Sequence, residues 1–285
     1  MQDPILKIIS LNIEMDRHLD GVTSFFKEQQ PDVVLLQEVL GKDKARLEEA
    51  TGMKGIYTVQ NIIYSETSAL TAVPSSLRSA ACPRSLSSAT ALDPANKSRD
   101  VAVGMAIEAE KSESYLGLLT LTKLPIIKNS HIFYRGDGLN PQRMTVKEPE
   151  KTARAITITE VVKGTKTYCL LNTHFTWTPN AQPNDDQQED LGHLLTHLTN
   201  IPEFILCGDF NAPRGTPIFD AIALKYQDNI PLHITTTIDK KLHRCGDLGI
   251  VVDGVFTTPG YEVLDVCVVD SLSDHCAIVT MVRAR

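Results

Sequence analysis

The chain has 285 residues, of which 42% are apolar and 22% charged. That balance belongs to a globular protein and is too apolar for a disordered one. No run approaches the ~20 apolar residues of a spanning helix, so integral membrane association is not expected. With 28 basic and 35 acidic residues the net charge is −7; composition forces no broad basic face for long duplex nucleic acid, although a local patch can sit within an acidic total.

From its start the chain enters an apolar, β-branched run at 6–13 after one acidic and no basic residue. Nothing there has the form of a secretory leader, which reads as a cytosolic protein. A helical pattern over 16–30 stops before Pro31, as a proline demands. A strand is expected at 32–36 and a helix at 42–51, ended by Gly52. Residues 65–98 differ: 22 of these 34 are Ser, Thr, Ala or Pro, so little apolar surface can be buried and a mobile loop or insert is expected. Arg78, Arg84 and Lys97 within it could face phosphate. Further strands are expected at 101–107, 116–122, 155–162, 167–173, 204–207, 250–257, 263–269 and 276–282. Helices are expected at 185–199, where Leu191, Leu194, Leu195 and Leu198 mark one face, and at 216–225, with Pro217 near its first turn. Strands with interspersed helices predict an α/β architecture of two sheets with helices outside. The six cysteines form no C-x-x-C pair, and unpaired thiols suit a reducing compartment.

Several apolar runs end in polar residues: Ser10-Leu11-Asn12, Leu36-Gln37-Glu38, Asn172-Thr173-His174 and Cys207-Gly208-Asp209-Phe210-Asn211. Ser273-Asp274-His275 precedes the last strand. In an extended segment Asp209 and Asn211 would share one side while Phe210 points into the core. Glu38 and Asp274 are oxygen donors of the kind Mg²⁺ takes one or two at a time. Asp253 lies in an apolar run, so its carboxylate needs a buried partner, and His275 is the natural one. His174 ends its strand. Trp177, the single tryptophan, either packs in the core or stacks on a substrate ring. These residues run from Glu38 to Asp274, so they converge only if residues 1–285 form one domain.

In their order along the chain these pieces resemble the endonuclease/exonuclease/phosphatase superfamily, the DNase I-like metal-dependent phosphohydrolases. The likeness rests on the Asn12 segment, Leu-Gln-Glu at Glu38, Asn-Thr-His at His174, Gly-Asp-Phe-Asn at 208–211, Val-Asp-Gly-Val-Phe around Asp253 and Ser-Asp-His at 273–275. It implies a four-layer α/β/β/α sandwich of two packed mixed sheets. It also implies phosphoester hydrolysis by in-line attack of water with Mg²⁺ or Mn²⁺. On this likeness Glu38 and Asp274 would hold metal, with Asn12 and Asn211 orienting metal water or phosphate oxygens. Asp209 would position or deprotonate water. His275, paired with Asp253, would act on the phosphoryl group, and His174 would stabilise charge or protonate the leaving oxygen. Arg154 resembles a phosphate-facing arginine, Gln187 a common helix-opening glutamine, and Tyr115 or Tyr134 would stand for a middle-strand tyrosine. The implied substrate is a phosphoester, DNA or RNA among the candidates, with a small-molecule, phosphoinositide or phospholipid phosphate as the alternative. A catalytically silent binding module on the same fold is a reading of another class. Neither a dinuclear metallophosphatase opening nor a Gly-x-Ser-x-Gly elbow is present.

Overall fold

The computed structural model describes residues 3–65, 112–138, 140–143 and 152–285. In chain order the elements are β1 (Ile5–Asn12), α1 (Leu19–Gln29), β2 (Val33–Leu40), α2 (Lys44–Thr51), β3 (Lys54–Ser65), β4 (Ser112–Thr122), β5 (Ile126–Arg135), β6 (Gln142–Arg143), β7 (Arg154–Lys163), β8 (Lys166–His174), α3 (Asp185–Thr199), β9 (Ile205–Asp209), α4 (Pro217–Ala223), β10 (Gln227–Asp228), β11 (Asp253–Thr257), β12 (Tyr261–Val269) and β13 (Ala277–Ala284).

One sheet runs β12-β13-β1-β2-β4-β3-β6 and the other β10-β11-β9-β8-β7-β5. Each is centred on a parallel pair, β1 with β2 and β8 with β9, flanked by antiparallel neighbours. Strands buried on both faces need near-continuous apolar sequence, and β1 shows why. Leu6 and Ile8 point between the sheets with Val33 and Leu35, meeting Leu170, Ile205, Cys207 and Val255. Ile9 and Leu11 point the other way, with Val34 and Leu36, onto Val22, Phe26 and Leu47 of α1 and α2. Beyond the second sheet, Ile156, Leu171, Leu206 and Phe256 pack on Leu191, Leu194 and Leu198 of α3 and on Ile218, Phe219 and Ile222 of α4. Full burial of one such side chain contributes roughly 1.5–3 kcal/mol. The layers are therefore helix, sheet, sheet, helix, the expected sandwich.

Two features fix the sheets beneath the rim that carries the site. Gln37 Nε2 donates to Asn172 Oδ1 at 2.7 Å, and Asn172 Nδ2 donates to the Leu36 carbonyl at 3.0 Å. Both side chains are fully buried, so the pair is a polar rivet between layers. At Gly208 a Cβ would lie 2.0 Å from the Thr173 carbonyl oxygen; only glycine lets β9 approach β8 this closely.

Some boundaries differ from the sequence reading. The strand expected at 250–257 starts at Asp253, because the Val251 and Val252 carbonyls accept from Arg214 and Phe210 rather than from a ladder. The helix expected at 16–30 starts at Leu19, because its N-cap His18 still has non-helical backbone (φ −125°, ψ 15°). β3 and β5 were not expected. β5 is a sheet edge with half of its residues exposed, so no apolar run marks it; β3 is broken by a bulge at Gln60. The strand expected at 101–107 and the loop expected at 65–98, apart from Ser65 at the end of β3, lie outside the described residues. Cys169, Cys207, Cys267 and Cys276 are free thiols, but Cys245 is disulfide-bonded, against the expectation of unpaired thiols throughout. Among the described residues no helix is long and apolar enough to cross a membrane.

Candidate active site

The C-terminal ends of β1, β2, β8 and β9 meet at one rim, and the side chains there converge on Asp209. This carboxylate ends β9 and is 1% exposed. Its Oδ1 accepts the Asn211 backbone N–H at 2.8 Å and its Oδ2 accepts Asn12 Nδ2 at 3.1 Å. Oδ2 also lies 3.5 Å from His174 Nε2 and 3.7 Å from His275 Nε2. A buried carboxylate needs such partners, since an unpaired one would be costly.

His275 is held from behind. Its Nδ1 is 2.9 Å from Asp253 Oδ2, which leaves Nε2 facing Asp209. The Asp253 backbone N–H donates to Thr237 Oγ1 at 3.1 Å, fixing the start of β11. Burial alone would lower the His275 pKa. The charges of Asp253 and Asp209, the Asp253 hydrogen bond and then Asp274 outweigh it and hold the ring well above the ordinary histidine value. His174 is the reverse case. Burial and the neighbouring Arg154 guanidinium, against the pull of Asp209, lower it to about 3, so the ring is neutral near pH 7. Two histidines about one carboxylate thus carry different charge, set by what stands behind each.

Glu38 sits where β2 slips register against β4, between Leu36 and Val39, with φ of 56°. A bulge of this kind re-aims a side chain, and here it turns the carboxylate toward Asn12, whose Nδ2 donates to Glu38 Oε1 at 3.1 Å. Glu38 Oε1 is 3.8 Å from His174 Nε2. Burial first, then the negative charge of Asp274, push Glu38 up to about 7, against the Asn12 hydrogen bond. Asp274 is partly exposed, its Oδ1 accepting from Ser273 Oγ at 3.2 Å. Two hard carboxylates repelling each other at an open mouth fit a divalent cation, which would remove the repulsion. A second arrangement also has ligand spacing: atoms of Asp209, Asp253 and His275 lie within 4.8 Å of one another. There, however, His275 Nδ1 and Asp253 are already engaged with each other.

The remaining expected residues fall around this core. Asn211 lies past the strand end with φ of 50°, and its Nδ2 donates to the Phe175 carbonyl at 3.0 Å. The extended geometry expected for Asp209 and Asn211 is therefore not what joins them; the Asn211 backbone N–H does. Phe210 is fully buried, as expected. Arg154 is 4% exposed, donates to the His174 carbonyl at 3.2 Å and, among the described residues, has no hydrogen-bond partner at Nε. Trp177 is half-buried and belongs to none of the three apolar clusters. Gln187 Nε2 donates to the Thr176 carbonyl at 2.7 Å, steadying the segment that carries Trp177. Of the two tyrosines, Tyr134 is at the site: its hydroxyl bonds Thr173 Oγ1 at 3.0 Å and donates to the His174 carbonyl at 3.4 Å. Tyr115 is 50% exposed.

Two residues were missed by sequence reasoning. The Glu14 backbone N–H donates to Asn12 Oδ1 at 3.1 Å, and burial followed by the Asp274 charge raises its carboxyl pKa. Its spacing of two from Asn12, the same as Asp209 to Asn211, was the available signal. His243 is half-buried; burial lowers its pKa, Asp274 opposes this, and His275, Arg244 and Asp209 also act on it. No local pattern announces it.

Comparison with known proteins bears on the fold and the family. No curated protein sequence matches the chain. Solved structures do share its fold. An endonuclease/exonuclease/phosphatase from Bacteroides vulgatus is 14% identical, with 99% of this chain and 100% of that one covered and a TM-score of 0.64. D. rerio TDP2 complexed with single strand DNA product is 16% identical over 99% of this chain and 100% of that one, with a TM-score of 0.61. A mannosyl-6-phosphatase from Bacteroides thetaiotaomicron VPI-5482 is 12% identical over 97% and 99%, with a TM-score of 0.60. The model of the Endonuclease/Exonuclease/phosphatase family matches residues 9–275, and the chain belongs to that family.

Proposed function

We propose that residues 1–285 act as one catalytic domain that hydrolyses phosphoester bonds with Mg²⁺, for which Mn²⁺ can substitute, most readily as a phosphodiesterase of the nuclease kind. The observation that carries this reading is the chain Asn12–Asp209–His275–Asp253, a buried acid–histidine system opening on the carboxylates Glu38 and Asp274. Glu38 and Asp274 would hold the ion, and Asn12 keeps Glu38 and Asp209 in place through one amide nitrogen. When bound, the dication supplies positive charge to a phosphoryl oxygen and lowers the pKa of a water.

The other steps fall to the chain's own groups. Asp209 orients the attacking water and accepts its proton. His275, cationic beside Asp253, donates from Nε2 to the phosphoryl oxygens as negative charge builds on them. His174, neutral, stabilises the leaving oxygen by an N–H hydrogen bond. Asn211 and Arg154 fix the backbone on either side of Phe175 and His174, and the Arg154 charge adds to the positive field. Trp177 offers a face for a substrate ring. The phosphatase alternative is supported by the mannosyl-6-phosphatase, whose TM-score of 0.60 is close to the 0.61 of the DNA-bound TDP2.

The test is turnover of bis-p-nitrophenyl phosphate and p-nitrophenyl phosphate with Mg²⁺, Mn²⁺ or chelator. Metal-dependent cleavage, faster on the diester, is expected. Asp209→Ala and His275→Ala should each lose about 10²–10⁴-fold, the usual range for proton-transfer groups. Unchanged turnover in either variant would refute the assignment, and faster cleavage of the monoester would favour the phosphatase reading.

A further inference from the structure

Cations near the acidic rim are of two kinds. Arg17 pairs with Glu14 and Lys42 with Asp16. Lys240, Lys241 and Arg244 are exposed and make no ion pair or side-chain hydrogen bond among the described residues. They stand within five consecutive positions of a chain whose net charge is −7. Asp239 attracts Lys241, but no carboxylate pairs with any of the three among the described residues, so together they favour an incoming anion.

The loop that carries them is stitched to the site. The Asp239 N–H donates to the Asp274 carbonyl at 2.9 Å, and the Cys276 N–H donates to the Thr237 carbonyl at 2.7 Å. Ile238 forms a bridge with His275. The buried Asp239 carboxylate accepts from the Lys241 and Leu242 N–H groups, both at 2.8 Å, and from Ser271 at 2.6 Å. Further along, His243 sits within the field of Asp274, His275 and Asp209. The cationic stretch therefore begins one residue from a direct bond to the Asp274 turn and is held there by backbone contacts. The catalytic centre itself offers few accessible cations: Arg154 is buried behind His174.

We propose that Lys240, Lys241 and Arg244 form a second anion site, which takes a phosphate of the substrate other than the one being hydrolysed. The preferred substrate then carries at least two phosphates, whether along a nucleic-acid backbone or on a multiply phosphorylated small molecule. This rests on the phosphoester reading above and narrows it.

The test is binding, read by calorimetry on the full chain in chelator, where the proposed metal-dependent turnover does not contribute. One arm compares thymidine 3′,5′-bisphosphate with thymidine 5′-monophosphate. The other compares inositol 1,4-bisphosphate with inositol 1-monophosphate. The bisphosphate should bind about tenfold tighter in at least one arm, the scale expected of a few exposed charge contacts. That arm identifies the source of the second phosphate. The advantage should disappear in K240Q/K241Q/R244Q, return in K240R/K241R/R244K, and shrink with added salt. Equal affinity for both members of both pairs, failure to bind any of them, or a bisphosphate advantage that survives the neutral triple variant would overturn the proposal. A wild-type chain that shows the bisphosphate preference yet cleaves no phosphoester would instead overturn the hydrolase reading and leave this site standing.

Discussion

The two sides of the rim solve opposite problems. On the side of the second sheet, Asp209 and Asp253 are almost fully buried, and each carboxylate has designated partners. On the side of the first sheet, Glu14, Glu38 and Asp274 stay partly open, and Asp274 repels both glutamates, against the Arg17 charge at Glu14 and the Asn12 hydrogen bond at Glu38. Their backbone is also less relaxed: Glu14, Met15 and Glu38 all have positive φ, a conformation that bulky L residues adopt at a cost of roughly 1–3 kcal/mol. The closed side is complete as it stands and is suited to handling a proton. The open side is electrostatically incomplete and is suited to receiving an ion. Asp274 and His275 are adjacent in sequence, yet one serves each side, because the Ser273-Asp274 turn re-aims them.

This contrast can be broken at its strongest point first. Asp253→Asn keeps the size of the side chain but removes the charge behind His275. It should lower kcat by about 10²–10⁴-fold, and excess Mg²⁺ should not restore it. Glu38→Gln acts on the open side. Its loss, about 10–100-fold at limiting Mg²⁺ by analogy with weakened metal ligation, should be largely recovered as Mg²⁺ is raised. If excess metal rescued both variants or neither, the division of labour would not hold.

The comparison also predicts a pH effect on stability in metal-free protein. Glu38 has its folded-state pKa raised from 4.5 to about 7. The folded chain thus holds this proton more tightly than the unfolded one, and the associated stability is full below 4.5 and lost as pH rises toward 7. His174, lowered to about 3, acts with the opposite sign as pH rises toward 6.5, so the quantity read is a difference: metal-free wild type should lose Tm relative to metal-free Glu38→Gln across that window, and Mg²⁺ should offset the loss. A Tm difference between metal-free wild type and metal-free Glu38→Gln that does not change between those pH values would contradict it. The smallest effect expected is that of Trp177→Ala, which should raise KM for ring-bearing substrates by roughly fivefold, the low end of what a base–aromatic stack contributes, with little change in kcat. An unaltered KM would return Trp177 to a packing role.

Much of the layered fold is legible in the sequence because burial on both faces leaves continuous apolar runs, as in β1, β2 and β9. The buried pairing of Asp253 with His275 is legible for the same reason, since a carboxylate among Val and Phe needs a partner. What stays hidden is local backbone. Nothing in Leu36-Gln37-Glu38 announces the bulge that aims Glu38, and strand alternation misjudges Asn211, which has already left the strand. Gln37 and Asn172 stand in the same segments as Glu38 and His174, yet they face each other between the sheets, which the segments do not announce. β5 escapes notice because an exposed edge carries no apolar signature, and His243 because a loop brings it to the rim by contacts that no spacing encodes.

The most direct measurement is a crystal structure of the chain with Mn²⁺, with the ion located by its anomalous scattering. The account predicts one ion within about 2.0–2.3 Å of carboxylate oxygens of both Glu38 and Asp274, with the Asp253–His275 hydrogen bond intact. An ion seated among Asp209, Asp253 and His275, with that hydrogen bond broken, would contradict it.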